Sequence, residues 1–182
     1  MKPAIAATLL MASVSALAAD QQALTMEARG QVKAFAQALM GELKGSIEKD
    51  GPVAAIAVCN TEAPAIATGL SLNGWQVGRT ALKIRNPDNA PDAWETQVLN
   101  DFSARIKAGE DPAMMEATQV TGGEFRYMKA IPTAGLCVAC HGAEVAPAVE
   151  AKLAELYPAD KARGFNVGDL RGAFTLRKMI QE

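Results

Sequence analysis

The N-terminal third of the chain has a helical repeat of apolar side chains. Between residues 20 and 50 they recur at steps of three or four, which places them on one stripe of an amphipathic helix. The stripe consists of Val32, Phe35, Leu39, Leu43 and Ile47. Gly51 should end this helix, and Pro52 suits the first position of a shorter helix over 52–58. The pattern therefore predicts a long N-terminal helix that breaks at Gly51.

Cys59 comes directly after that shorter helix. The segment Thr61-Glu62-Ala63-Pro64 then restarts a helical pattern that runs to Thr68. We therefore expect Cys59 in an elbow between two Ala-rich helical pieces.

The rest of the chain mixes strand and helix patterns. Residues 75–85 alternate between two faces, which predicts a strand whose basic face carries Arg79, Lys83 and Arg85. The later patterns predict a helix with an apolar stripe from Trp94 to Ile106, a hairpin of residues 117–121 and 124–131 around Gly122-Gly123, a helix over 148–157 and a strand over 169–179. Helices precede and interrupt the strands without a βαβ rhythm. We therefore predict one α+β domain, an antiparallel sheet flanked by helices.

The first 18 residues have the features of a secretory signal peptide. Lys2 precedes an uncharged, Ala- and Leu-rich run over residues 3–17, and Ala16-Leu17-Ala18 suits a cleavage site. The run is shorter than the roughly 20 residues of a membrane-spanning helix. We expect cleavage near Ala18, a periplasmic location, a single domain over 19–182 and no membrane span in the mature chain.

The composition of the chain argues against several classes of function. The chain has 182 residues, and its 18 Lys and Arg against 20 Asp and Glu give a net charge of −2, which provides no basic field for nucleic acid. Three Cys and a single His leave little room for His-rich metal sites, Ser-His-Asp triads or a multi-disulfide framework. Most of these rare side chains nevertheless stand together, at Cys137, Cys140 and His141.

The sequence Cys137-Val138-Ala139-Cys140-His141 is a C-x-x-C-H motif, the attachment signal for c-type haem. Two thiols at this spacing can add to the two vinyl groups of haem, and the adjacent imidazole is then held beneath the iron as its proximal ligand. In an exported chain this motif predicts one covalently bound haem c.

Three other interpretations compete with haem attachment. A thioredoxin-like redox pair would require a βαβ context. A Cys₃His zinc site would combine the motif with Cys59, but adjacent Cys140 and His141 would converge poorly on one tetrahedral ion. A plain structural disulfide would leave the sole histidine, His141, without a role.

Several residues are candidates for the sixth iron ligand. His141 is the only histidine, so bis-His ligation is excluded, whereas Met26 and Met40 are interpreted as helix packing. The methionines that stay candidates are Met114, Met115, Met128 and Met179. Cys59 is the other candidate, because an unpaired thiol is unusual in an exported protein; the alternative is a small buried apolar residue. A thiolate at this position would give a low-potential haem, whereas methionine would raise the potential.

The sequence also offers basic and aromatic residues that could surround the haem. Haem propionates need cationic or backbone donors, and Arg79, Lys83, Arg85 and Arg126 are the candidates; a solvated strand face is the alternative for them. Four aromatic residues could wall the haem or simply fill an ordinary core. They are Trp94, Phe102, Phe125 and Tyr127.

Four segments together resemble a known family. They are residues 57–67 (AVCNTEAPAIA), 77–95 (VGRTALKIRNPDNAPDAWE), 137–142 (CVACHG) and 157–174 (YPADKARGFNVGDLRGAF). From about Asp20 to its end the chain resembles exported single-haem c-type proteins of PAS-like fold, long known as a domain of unknown function and similar to a cyanobacterial c-type cytochrome. The resemblance implies a PAS-like α+β fold with covalent haem, and His/Cys axial ligation that maps onto His141 and Cys59.

Two functions follow as expectations. The first is a non-enzymatic cytochrome that transfers one electron to an unknown redox partner protein or senses redox state. The alternative is a gas- or peroxide-responsive sensor in which Cys59 leaves the iron on reduction and a small gas binds. No distal histidine is present to act as a general base for peroxide chemistry, and no signalling module accompanies the domain.

Overall fold

The computed structural model describes residues 6–180, with side chains from residue 20 onward. The signal-peptide prediction for residues 1–18 lies outside the part whose side chains are described. The helices are α1 (Ala6–Ala57), α2 (Ala63–Leu70), α3 (Ala93–Lys107), α4 (Val138–His141) and α5 (Pro147–Leu156). The strands are β1 (Trp75–Thr80), β2 (Glu116–Thr121), β3 (Glu124–Pro132) and β4 (Leu170–Met179).

The four strands form one antiparallel sheet in the order β1-β4-β3-β2. Strands β2 and β3 form the predicted hairpin, and Gly122 and Gly123 in its turn have φ angles of 57° and 73°. Glycine adopts these positive φ angles without steric cost, which is why a two-residue turn forms here. The predicted α+β class, with an antiparallel sheet and a long N-terminal helix, is confirmed.

The long N-terminal helix is interrupted where the sequence indicated. Gly51 has φ 84° and ψ 174°, so two helical pieces meet at a kink and Pro52 begins the second piece. The predicted elbow at Cys59 is wrong, because the backbone stays helical through Val58–Glu62 as a π-helical turn and continues into α2. No helix breaker stands at this position, and a π-turn inserts the extra residue without ending the helix. Such turns are frequent at functional sites.

The sheet has a different core on each face. Helix α1 covers one face, where its Phe35 packs with Trp75, Phe125, Tyr127, Phe174 and Leu176. Helix α3 covers the other face, with Val98, Leu99 and Phe102 packed on Met115, Met128 and Ala173. A smaller cluster joins Ile56 of α1 to Val149, Leu153 and Tyr157. Neighbouring residues of one strand therefore point towards different helices.

Strand β1 is shorter than the sequence indicated. It ends at Thr80, which pairs with Ala173, so Lys83 and Arg85 do not share a strand face with Arg79. The backbone carbonyl of Ile84 instead accepts a hydrogen bond from Lys161 N at 2.9 Å. The apparent alternation over 81–85 belongs to a loop that packs on the segment before β4.

Gly172 lies where β4 passes the end of β1. A Cβ atom at this position would come within 2.5 Å of the Thr80 carbonyl oxygen and 2.9 Å of the Ala81 Cβ. We expect Gly172→Ala to lower the free energy of unfolding by about 1–3 kcal/mol in urea denaturation, because backbone must move to admit the methyl group. Gly135→Ala, where nothing lies within 4 Å, is the matched control. An equal effect of both substitutions would contradict this account.

One described helical stretch, within residues 20–70, is apolar and long enough to cross a membrane by length and composition alone. Its most apolar window has a mean hydropathy of 1.3, and 22% of that window is buried. Core helices of soluble proteins and signal sequences meet the same criterion. The absence of a membrane span in the mature chain therefore stays a prediction.

Candidate functional site

A large cavity lies between the second half of α1, the π-turn, the end of β1 and the C-x-x-C-H segment. Its empty volume is about 1210 Å³, which includes space open to solvent. Much of the wall is apolar and includes Leu39, Leu43, Ile56, Ile84, Ile131 and Leu136. An apolar cavity with a few polar groups is typical of a site for a large organic ligand.

The cavity brings together the four sulfur and nitrogen ligands that the sequence singled out. Cys137 precedes the first residue of the short helix α4, and Cys140 and His141 end that helix. Cys59, from the π-turn at the far end of α1, lines the same cavity. None of the three cysteines forms a disulfide. Two distant segments of the chain therefore supply their thiols to one site.

The imidazole of His141 is oriented to offer one nitrogen to the cavity. Its Nδ1 lies 2.8 Å from the carbonyl oxygen of Ala162, and since a carbonyl only accepts, Nδ1 carries the proton. The lone pair is then on Nε2. Burial, followed by the positive charges of Arg171 and Arg85, lowers the pKa of His141 to about 3. The ring is therefore neutral at neutral pH, as a metal-ligating histidine must be.

Arg85 lines the cavity, and its guanidinium forms a buried ion pair with Asp160. Its Nε and Nη2 lie 3.1 Å from the two carboxylate oxygens of Asp160, and the two side chains are 7% and 6% exposed. Nη2 also donates to the Cys140 carbonyl at 2.6 Å. Asp160 in turn accepts from the backbone N–H of Ala162 at 2.9 Å. The pair thus joins the C-x-x-C-H helix to residues 160–162, where the Ala162 carbonyl accepts the hydrogen bond from His141.

The assignment of Arg126 to this site is wrong. Alternation along β3 turns its side chain to the α3 face of the sheet, where it donates to Asp92 at 2.6 Å and lies 4.4 Å from the centroid of the Trp94 ring. Arg126 does not line the cavity, and neither do the four aromatic residues suggested as its wall. Trp94 and Phe102 belong to the α3 side, and Phe125 and Tyr127 belong to the α1 core.

Two arginines besides Arg85 line the cavity. Arg79, which the sequence proposed, lines the wall and lies 5.5 Å from the centroid of the Phe35 ring. Arg171, which sequence reasoning missed, has its Nε 3.4 Å from Nε2 of His141. Burial lowers the pKa of Arg171 to about 10. Asp160 and Arg171 both lie within the 157–174 segment, so its resemblance to the family is the sequence signal that points to them.

The structure also places the methionines differently from the sequence prediction. Met114 and Met179 are exposed, and Met115 and Met128 are buried in the core beneath α3, so none of the four lines the cavity. Met40 of α1, interpreted as helix packing, does line it. Cys59 and Met40 are therefore the sulfur-containing residues outside the C-x-x-C-H segment that line the cavity.

The competing interpretations of the motif find little support. Among the side chains described, over residues 20–180, no three His, Cys, Asp or Glu are grouped as a metal ion would require, which contradicts the Cys₃His zinc site. A thioredoxin-like pair would need a βαβ unit, whereas every strand pair in the described sheet is antiparallel.

The buried Arg85–Asp160 pair leads to a stability prediction. We expect Asp160→Asn to lower the free energy of unfolding by roughly 3–5 kcal/mol, because Arg85 would be left as a buried, unpaired cation. Guanidinium denaturation would measure this loss, and Glu155→Gln at an exposed, singly paired carboxylate is the control. A loss no larger than that of the control would contradict the structural role of the pair.

The same pair makes stability dependent on pH. Burial alone would raise the pKa of Asp160, but hydrogen bonds from Arg85, Arg163 and the Ala162 N–H outweigh it, so the pKa lies below its usual value of 3.8. A lowered carboxyl pKa contributes stability above the unfolded-state value and loses it as the pH falls through the folded-state value. We therefore expect the difference between the parent chain and Asp160→Asn to be full at neutral pH and to shrink below about pH 3.8. A difference independent of pH would contradict this.

Fold and cavity together define an α+β protein in which a kinked N-terminal helix and a C-x-x-C-H helix enclose an apolar ligand site. The chain belongs to the Tll0287-like family, whose sequence model matches residues 6–178. It is similar to the crystal structure of the cyanobacterial heme-protein Tll0287, with a TM-score of 0.68 and 30% sequence identity over 87% of this chain and 96% of that chain. No curated protein matches the chain.

Proposed function

We propose that this chain is an exported, single-haem c-type cytochrome that exchanges one electron with a partner protein or reports redox state. The observation that carries the proposal is that Cys59, Cys137, Cys140 and His141 all line one apolar cavity. The similarity to a cyanobacterial heme-protein supports the same cofactor.

The donor set suits an iron porphyrin. Cys137 and Cys140 lie on one turn of helix, so that their thiols can form thioether bonds to the two vinyl groups. His141 offers Nε2 to the iron while its Nδ1–H is held by Ala162. The apolar side chains of the wall would contact the macrocycle. When bound, haem supplies one-electron exchange between its ferric and ferrous states.

Cys59 is the proposed distal ligand. As a thiolate it would close the sixth coordination position, and its negative charge would favour ferric iron and a low potential. A site closed on both sides leaves no position for a substrate, so we propose a carrier or redox sensor and not an enzyme.

The second candidate is a gas- or peroxide-responsive sensor in which Cys59 leaves the iron on reduction. The observation that favours this candidate is that Cys59 lies in a π-helical turn, a local irregularity that is frequent at functional sites. Both candidates share the same cofactor and proximal ligand, and they differ only in what happens at Cys59.

Carbon monoxide distinguishes the two candidates. We expect the reduced protein to resist carbon monoxide, with no shift of its Soret band over minutes, because the distal position is closed. Cys59→Ala should bind the gas rapidly under the same conditions unless Met40 takes the vacant position. Rapid binding by the parent protein would reject the closed electron carrier and favour the sensor.

A further inference from the structure

Two arginines that line the cavity form no ion pair with a described carboxylate. Arg85 is paired with Asp160, whereas neither Arg79 nor Arg171 forms an ion pair with any described carboxylate. Arg171 makes two long hydrogen-bond contacts, each of 3.4 Å, to His141 Nε2 and to the Lys83 carbonyl, and its guanidinium lies 5.4 Å from the centroid of the Phe165 ring. The contact of Arg79 is with the face of the Phe35 ring.

An unpaired cation in such an environment is unfavourable. Both guanidinium groups lie against aromatic rings and line a mostly apolar cavity, which removes part of their hydration. Both side chains keep intermediate exposure because they face the open cavity. Proteins rarely place two such groups in one cavity unless a ligand brings negative charge to them.

We propose that Arg79 and Arg171 together bind the two propionate groups of the cofactor. This inference rests on the proposed function and assigns the charged end of the same site. Haem carries two carboxylates, and the cavity holds two guanidinium groups that no described carboxylate neutralises. Arg85 and Arg126, which the sequence suggested for this role, are each committed to carboxylates of the protein.

The contact between Arg171 and His141 also bears on the role of Arg171. The guanidinium of Arg171 lies beside Nε2, the nitrogen proposed to bind iron. An iron atom bound to Nε2 would occupy the position of the Arg171 guanidinium. Arg171 would therefore have to leave this contact when the cofactor binds. A propionate is the group that would receive it. Arg171 thus fills part of the site in the haem-free chain and holds the cofactor in the loaded chain.

The urea midpoints of the haem-free and the haem-loaded protein test this proposal, because one substitution should shift them in opposite directions. Arg79→Met and Arg171→Met keep an apolar stem and remove the charge. In the haem-free full-length chain we expect each substitution to raise the urea midpoint, because an unpaired, half-buried cation is lost. In the haem-loaded chain we expect each to lower it, because a propionate loses its partner. Arg85→Met is the control and should lower the midpoint in both forms, since it leaves Asp160 unpaired.

The reduction potential supplies a second measurement that does not need the haem-free chain to fold. An unneutralised propionate next to the haem favours ferric iron, so we expect the ferric-to-ferrous ratio at a fixed potential to rise about tenfold in each variant. For a one-electron couple that change is about 59 mV towards lower potential. Arg177→Gln, a half-exposed cation on the α3 face of the sheet, is the control and should leave the ratio unchanged.

The outcomes separate this proposal from the proposed function. Haem c present in the parent protein, with opposite stability effects and lowered potentials in the variants, supports the arginine assignment. Haem c present, with stability effects of one sign or an unchanged potential, overturns the assignment and leaves the cytochrome intact. Absence of haem c from a pyridine haemochrome spectrum of the parent protein overturns both.

Discussion

Replacing both Cys137 and Cys140 by alanine is expected to reduce covalently attached haem from one per chain to none. The two thiols are the sole groups in the C-x-x-C-H helix that can form thioether bonds, and they lie on one turn beside His141. Either single substitution should keep one thioether bond and hence some attached haem. The mass of the intact chain and a pyridine haemochrome spectrum of the denatured protein measure the attachment directly.

This experiment needs a host that can mature c-type cytochromes and a control within the same turn. Ala139→Ser changes an exposed residue between the two cysteines without touching either thiol, and it should retain the full haem content. Haem that stays on the doubly substituted chain through denaturation would reject thioether attachment. A colourless parent protein with the mass of the bare polypeptide would reject the cofactor itself.

Replacing Cys59 by alanine is expected to change the ligation and potential of the iron without releasing the haem. The thiolate signature of the ferric low-spin signal in electron paramagnetic resonance should disappear. Loss of the anionic ligand should also raise the midpoint potential, by at least the roughly 59 mV that corresponds to a tenfold change in the ferric-to-ferrous ratio. Haem content should stay at the parent level, because the thioether bonds and His141 are untouched.

Met40 provides the matched comparison for Cys59, because both sulfur atoms belong to residues that line the cavity. Met40→Leu alone should leave the ferric signal unchanged if Cys59 is the ligand. In the Cys59→Ala background, a low-spin signal without thiolate character that Met40→Leu converts to high spin would show methionine taking the empty position. An unchanged signal in Cys59→Ala would eliminate Cys59, and a change in Met40→Leu alone would identify Met40 in its place.

The part of the site that the sequence could predict is the part encoded locally. Cys137, Cys140 and His141 are neighbours in the chain, and their spacing alone indicates the chemistry. The break at Gly51, the hairpin at Gly122-Gly123 and the apolar stripe of α1 follow in the same way from backbone freedom and periodicity. Each of these needs only residues within a few positions of one another.

The arginines show where local reasoning fails. Arg79, Arg85 and Arg126 look alike in the sequence, each within an alternating segment. Their roles differ because β1 ends at Thr80, because Asp160 pairs with Arg85, and because alternation along β3 turns Arg126 towards α3. Which carboxylate meets which guanidinium depends on segments far apart in the chain, and no short-range pattern records it.

The sequence by itself determined the α+β class, the long helix with its break and the C-x-x-C-H segment, since these depend on local backbone preferences and spacing. Only the tertiary structure decided that Cys59 and Met40 line one cavity with His141, that Arg171 lies beside the imidazole and that Asp160 pairs with Arg85. The physical reason is that burial and ion pairing are set by long-range packing of α1 and the segment before β4 against the sheet, and such packing leaves little trace in the local order of residues.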